Sequence, residues 1–119
     1  MKNFSKRVAV ITGAASGFGR EFAFLGASLG MKLVLADVQK EALASTAKEL
    51  EAVGAEVIFQ ICDVSKPEQI EALADAAMKR FGAVHLVFNN AGVGAGGLIW
   101  ENSRADWEWV LGVNVWGVI

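Results

Sequence analysis

Arg7-Val8-Ala9-Val10-Ile11-Thr12-Gly13-Ala14-Ala15-Ser16-Gly17-Phe18-Gly19 is the stretch that decides the fold. An almost wholly apolar run over residues 7–11 breaks at Thr12-Gly13 into a glycine-rich turn, and a helical pattern starts at Gly17. Apolar runs without strict alternation are expected of strands covered on both faces. Three more follow, over residues 32–36, 56–61 and 85–88. The chain is therefore read outward from one strand-turn-helix unit.

Helical signals lie between the runs. Residues 17–29 carry Phe18, Phe22, Leu25 and Leu29 at spacings of four, three and four, and Gly30 follows as a stop. Residues 39–53 are rich in Ala, Leu, Glu and Lys and end at Gly54. Ser65-Lys66-Pro67-Glu68 reads as an N-cap with Glu at the third helical position, opening a helix to Arg80 that Gly82 terminates. The alternation βαβαβαβ predicts a Rossmann-type, doubly wound α/β sheet of parallel strands joined by right-handed crossovers. From Asp106 onward, Trp107, Val110, Leu111, Asn114 and Val118 trace a helical stripe that Trp109 and Trp116 lie off. The chain stops there on an apolar pattern, where a terminus is normally polar. The expectation is one α/β unit over residues 1–119, truncated after the helix that follows strand four.

Composition narrows the function classes. A chain of 119 residues is one domain, and 54% hydrophobic against 20% charged residues excludes disorder. A net charge of -2 argues against nucleic acid or an anionic membrane as partner. A lone Cys62 excludes a disulfide framework, and with a lone His85 it leaves no metal site to expect. No apolar run reaches about 18 residues, and the apolar run after Arg7 is too short for a signal peptide. The default location is cytoplasmic. There is no Tyr.

Several residues carry chemistry by position. A turn from strand one into helix one sets unpaired N–H groups and the positive helix end at the sheet's mouth, where a pyrophosphate can bind. Gly13 allows the tight turn, and Gly17 and Gly19 remove β-carbons that would block phosphate or helix packing. The spacing is G-x-x-x-G-x-G, neither the G-x-G-x-x-G fingerprint nor a P-loop. Asp37 ends strand two, where a carboxylate can accept hydrogen bonds from both adenosine ribose hydroxyls. It would repel a 2′-phosphate, and neither Val38 nor Ser16 offsets that charge, which favours NAD over NADP. Asp63 either meets an adenine amino group or forms a turn. Cys62 reads as a small buried hydrophobe and His85 as structural. Asn89-Asn90-Ala91-Gly92 closes strand four, where small residues leave room for a ring and ribose and Asn can satisfy strand-end backbone.

Taken in order, Thr12-Gly13-x-x-x-Gly17-x-Gly19, Asp37, Asp63-Val64, Asn89-Asn90-Ala91-Gly92 and Asn114 resemble the short-chain dehydrogenase/reductase family over the whole chain. The resemblance implies that Gly13, Ser16, Phe18 and Gly19 line the pyrophosphate site and that Asp37 holds the adenosine ribose. It further implies that Asp63 and Val64 flank adenine and that Asn90, Ala91 and Gly92 border the nicotinamide ribose. Asn114 matches the family's active-site Asn, which helps organise a water and the catalytic Lys. The implied activity is hydride transfer between NAD(H) and an alcohol or ketone.

The departure is equally plain. The family's Ser, Tyr and Lys lie beyond the Asn, and only five residues follow Asn114 here. Without a Tyr, proton transfer lacks its partner, so the 119 residues alone are expected to bind cofactor and not to catalyse. The alternative is a non-catalytic nucleotide-binding or self-associating module. Strand four would be left as an unblunted edge. Trp107, Trp109 and Trp116 fall on the helix that the family commonly packs in a dimer interface, so a homo-oligomer is expected, although some of them can equally be core.

Overall fold

Successive residues of β1 (Val8–Thr12) and β2 (Lys32–Asp37) point to opposite faces of the sheet, and both faces are covered. In the computed structural model, which describes residues 1–119, these strands form the centre of a four-stranded parallel sheet. Edge strands β3 (Val57–Ile61) and β4 (Leu86–Phe88) complete the order β3-β2-β1-β4. Register partners Val10↔Val34, Leu35↔Phe59 and Ile11↔Phe88 align the carboxyl ends of the strands. The predicted doubly wound topology is present.

One core lies on the face covered by α1 (Gly17–Ser28) and α2 (Lys40–Ala52), where Ala9, Ile11, Leu33 and Leu35 meet Ala23, Leu43 and Leu50. The other lies under α3 (Pro67–Phe81), where Val8, Val10, Val34 and Ala36 meet Leu73, Ala77 and Val113. This two-sided burial produces the unbroken apolar runs of β1 and β2. The edge strands depart from it: Phe59, Ile61 and Val87 are exposed.

Helix boundaries fall within a residue or two of those read from the sequence, with left-handed Gly30, Gly54 and Gly82 as the stops. Three local readings change. Ser65 is not the cap of α3: Lys66 occupies that position, Pro67 is the first helical residue, and no side chain caps the helix. Ser65 is instead drawn into a turn closed by the Asp63 carboxylate. The sheet-facing side of α1 is Gly19, Ala23 and Gly26, while Phe18, Leu25 and Leu29 are exposed. Small residues win that face because the helix lies close; a Cβ at Gly26 would sit 3.0 Å from Leu33 Cδ2.

The third change concerns the last helix. An α-helix, α4 (Arg104–Leu111), runs into a π-turn over Gly112–Trp116. The buried residue is Val113, on the side opposite the predicted stripe. Trp107, Val110 and Asn114 of that stripe share a face lining a hollow of about 290 Å³ with Val93, Gly94 and Ala95. Leu111 and Val118 are exposed.

Candidate functional site

At the carboxyl ends of β1, β2 and β3 the chain opens a cleft of about 420 Å³. Its floor is the β1–α1 turn. Gly13 and Gly17 take left-handed backbone angles, φ 66° and 55°. Ser16 is the N-cap of α1 but its hydroxyl makes no cap bond, and the first intrahelical bond is donated by the Arg20 N–H to Ser16 O. The preceding N–H groups thus have no intrahelical acceptor, and the positive helix end is available to an anion. Around Gly17 nothing stands within 4 Å of a would-be Cβ. Gly19 is the opposite case: its Cβ would lie 2.2 Å from Gly13 O and 2.7 Å from Asn90 Nδ2.

A buried hydroxyl ties this turn to β4. Thr12 Oγ1 donates to Phe88 O (3.3 Å) and accepts from the N–H groups of Asn90 (3.1 Å) and Ala91 (3.0 Å). The Asn90 amide donates to Thr12 O (3.0 Å) and Gly13 O (3.3 Å). Asn90 therefore braces strand-end backbone, one of the two readings open from sequence. It also lines the cleft with Ala91 and Gly92.

Asp37 stands at the end of β2 with its carboxylate held by two backbone donors, Ala15 N–H to Oδ2 and Gln39 N–H to Oδ1, both 3.0 Å. The carboxylate is thereby fixed beside the β1–α1 turn, one residue from the N-cap of α1. Asp63 Oδ1 accepts from the Ser65 N–H (2.9 Å) and hydroxyl (2.6 Å), so a turn role is present, and Asp63 also lines the cleft beside Val64. Cys62, which precedes them, is buried, and burial, then the neighbouring Asp63 charge, push its thiol pKa up. A thiol held protonated this way is not a nucleophile. His85 sits far from this chemistry, its Nδ1 accepting from the Val8 N–H at 2.9 Å, which extends the β1–β4 pairing.

The cleft thus brings together Gly13, Ser16, Asp37, Asp63, Val64, Asn90, Ala91 and Gly92. It does not include Gly17, Gly19, Phe18 or Asn114 in its wall. Gly19 is buried under the turn, and Phe18 is exposed, stacked on Phe22, which stacks in turn on Phe88. Asn114 closes on the Val93 backbone, accepting its N–H at 2.9 Å and donating to its carbonyl at 2.8 Å. Lining residues absent from the predicted set are Val38, Gln39, Val93, Trp109 and Val113, with Cys62 in its expected apolar role. Val38 and Gln39 adjoin Asp37 and were within reach of a positional argument. Trp109 and Val113 were not, because they share the side of the helix opposite the apolar stripe read from the sequence.

Comparisons with known proteins show the family and the fold. The family model described as short chain dehydrogenase matches residues 7–119. A short chain dehydrogenase/reductase from Burkholderia phymatum, solved in complex with NAD, is 66% identical with a TM-score of 0.98 over 99% of this chain and 42% of its own. An alcohol dehydrogenase from Thermococcus sibiricus, solved with 5-hydroxy-NADP, is 36% identical with a TM-score of 0.91, over 96% of this chain and 49% of its own. A CLA biosynthesis dehydrogenase/reductase of Lactiplantibacillus plantarum is 41% identical over 97% of this chain and 40% of its own length. The chain thus spans less than half the length of these relatives. With its sheet order, its β1–α1 turn and a family match over nearly every residue, the chain belongs to the short chain dehydrogenase family.

Proposed function

We propose that this chain is the nicotinamide-dinucleotide-binding portion of an oxidoreductase acting on an alcohol or carbonyl substrate, with NAD preferred over NADP. One observation carries the reading: the fixed Asp37 carboxylate and the uncapped end of α1 face one cleft. The open helix end and the space around Gly17 fit a pyrophosphate, and the carboxylate fits a ribose diol. Gly13, Ser16, Gly17, Phe18 and Gly19 form the phosphate turn in this assignment. Asp63 and Val64 flank the adenine, and Asn90, Ala91 and Gly92 border the second ribose. A dinucleotide held there supplies the hydride donor or acceptor.

Proton transfer needs a different group. No Tyr occurs among the 119 residues, and we place the acid/base residue outside them. Asn114 acts as a positioning residue, since both polar atoms of its amide are engaged by Val93. The exposed Trp107 and Trp116 belong to a self-association surface.

The test is calorimetric titration of NAD and NADP into the full-length protein and its Asp37→Ala variant. NAD is expected to bind at least tenfold tighter than NADP, because a 2′-phosphate would face the Asp37 charge. Losing hydrogen bonds to a charged group costs about 1.5–3 kcal/mol, so Asp37→Ala should weaken NAD about 10- to 100-fold and erase the preference. Tighter binding of NADP by the unmutated protein would remove the assignment.

A further inference from the structure

We infer that Trp109 is a base-contacting residue of the cleft, packing its indole against the adenine; this rests on the dinucleotide reading above. The argument starts at Asp37, the carboxylate assigned to the adenosine ribose. Its register partner across the sheet is Ile61, and its carbonyl accepts the Cys62 N–H at 3.0 Å. Moving sideways from the ribose therefore leads onto Cys62-Asp63-Val64, the wall assigned to the base.

The segment after α4 lies directly on that wall. A Cβ at Gly112 would sit 3.3 Å from Ser65 Cβ, and one at Gly117 would sit 2.6 Å from Val64 Cγ2. Between those glycines Val113 is buried in one apolar cluster with Cys62 and Val64. Trp109 precedes Val113 by four residues, so it occupies the same helix face one turn earlier. It lines the same cleft with half its surface, 51%, still accessible.

Trp109 is the only aromatic among the lining residues. Trp107 lines the other hollow, while Trp100 and Trp116 lie open on the surface. A flat ring at the base end offers the π-face of a purine a partner that the valines and the thiol cannot supply. Base–aromatic packing is sequence-tolerant and sizeable, so loss of the ring should weaken adenine nucleotides about tenfold.

The experiment titrates AMP and NAD into the full-length protein and into Trp109→Ala and Trp109→Phe, with melting temperatures recorded for all three. Trp109→Ala is expected to bind both ligands about tenfold more weakly at an unchanged melting temperature, and Trp109→Phe to recover most of the loss. AMP should quench indole fluorescence in the unmutated protein and leave that of Trp109→Phe unchanged. Unaltered AMP and NAD affinity in Trp109→Ala overturns the inference and leaves the dinucleotide reading standing. A Trp109→Phe variant as weak as Trp109→Ala also overturns it, because the ring would then be irrelevant. Failure of the unmutated protein to bind NAD, NADP or AMP removes both.

Discussion

Thr12 does more for the cleft than its place as the first letter of a glycine motif suggests. Thr12 is 4% exposed, and its hydroxyl serves one carbonyl and two N–H groups where β1 and β4 part. Thr12→Val keeps the shape and removes all three bonds. Each buried group left unpaired costs about 1–3 kcal/mol, and the joint loss should be about 3 kcal/mol, a fall of roughly 10 °C in melting temperature. Thr12→Ser, which retains the oxygen, should lose less than a third of that. Thermal denaturation checks both, and a Val variant as stable as the unmutated protein would show the hydroxyl to be incidental. Asp37 and Asp63 illustrate what a sequence can and cannot say at this scale. Asp37 ends β2 and Asp63 follows the end of β3 by two residues, positions that are legible. What the pattern does not carry is that Asp37 is oriented by two backbone donors while one oxygen of Asp63 is consumed by Ser65.

Among elements, the β1–α1 turn and α4 mark the limits of legibility. The first was readable because an apolar run, a glycine turn and a helix at fixed spacing admit one topology. The pattern could not distinguish its glycines, however, since Gly17 and Gly19 look alike in it and do opposite work. Gly17 needs its left-handed backbone and has open space around it, whereas Gly19 needs its missing side chain. A left-handed L-residue costs about 1–2 kcal/mol, so Gly17→Ala should lose about that much stability. In Gly19→Ala the Cβ collides with the Gly13 carbonyl, a backbone atom, so the turn itself must shift. That variant should lose about 3 kcal/mol or more, in the range of overpacked cores, and more than tenfold in NAD affinity. Parallel melting and NAD titration of the two variants decide it; equal effects would remove the distinction. At α4 the sequence pattern was read from Asp106 onward, whereas the Ser103–Asp106 capping pair starts the helix at Arg104, and the helix ends in a π-turn that no apolar period announces. The face carrying Trp109 and Val113 was lost because the more apolar opposite stripe was read as the buried one.

For the whole molecule, the proposed self-association has two surfaces to draw on. The free edge of β4 is one candidate, since it pairs only with β1 and Val87 is exposed. It is short, three residues, and the few backbone bonds it offers contribute about 1 kcal/mol net each. The tryptophans form the other. Trp116 is 71% exposed, and an aromatic ring buries about 150–250 Å² at about 25 cal/mol per Å², or several kcal/mol gross from a single ring. The aromatic surface should therefore dominate. Light scattering on a sample of these 119 residues is expected to find self-association at tens of micromolar, an order of concentration set by interfaces of modest size. Trp116→Lys should shift the sample to monomer, and Val87→Lys should shift it less, since an edge lysine only blocks strand pairing. Neither residue lines the cleft, so NAD binding should survive both changes. A monomeric unmutated sample would refute the self-association surface, and full dissociation by Val87→Lys alone would assign it to the strand edge.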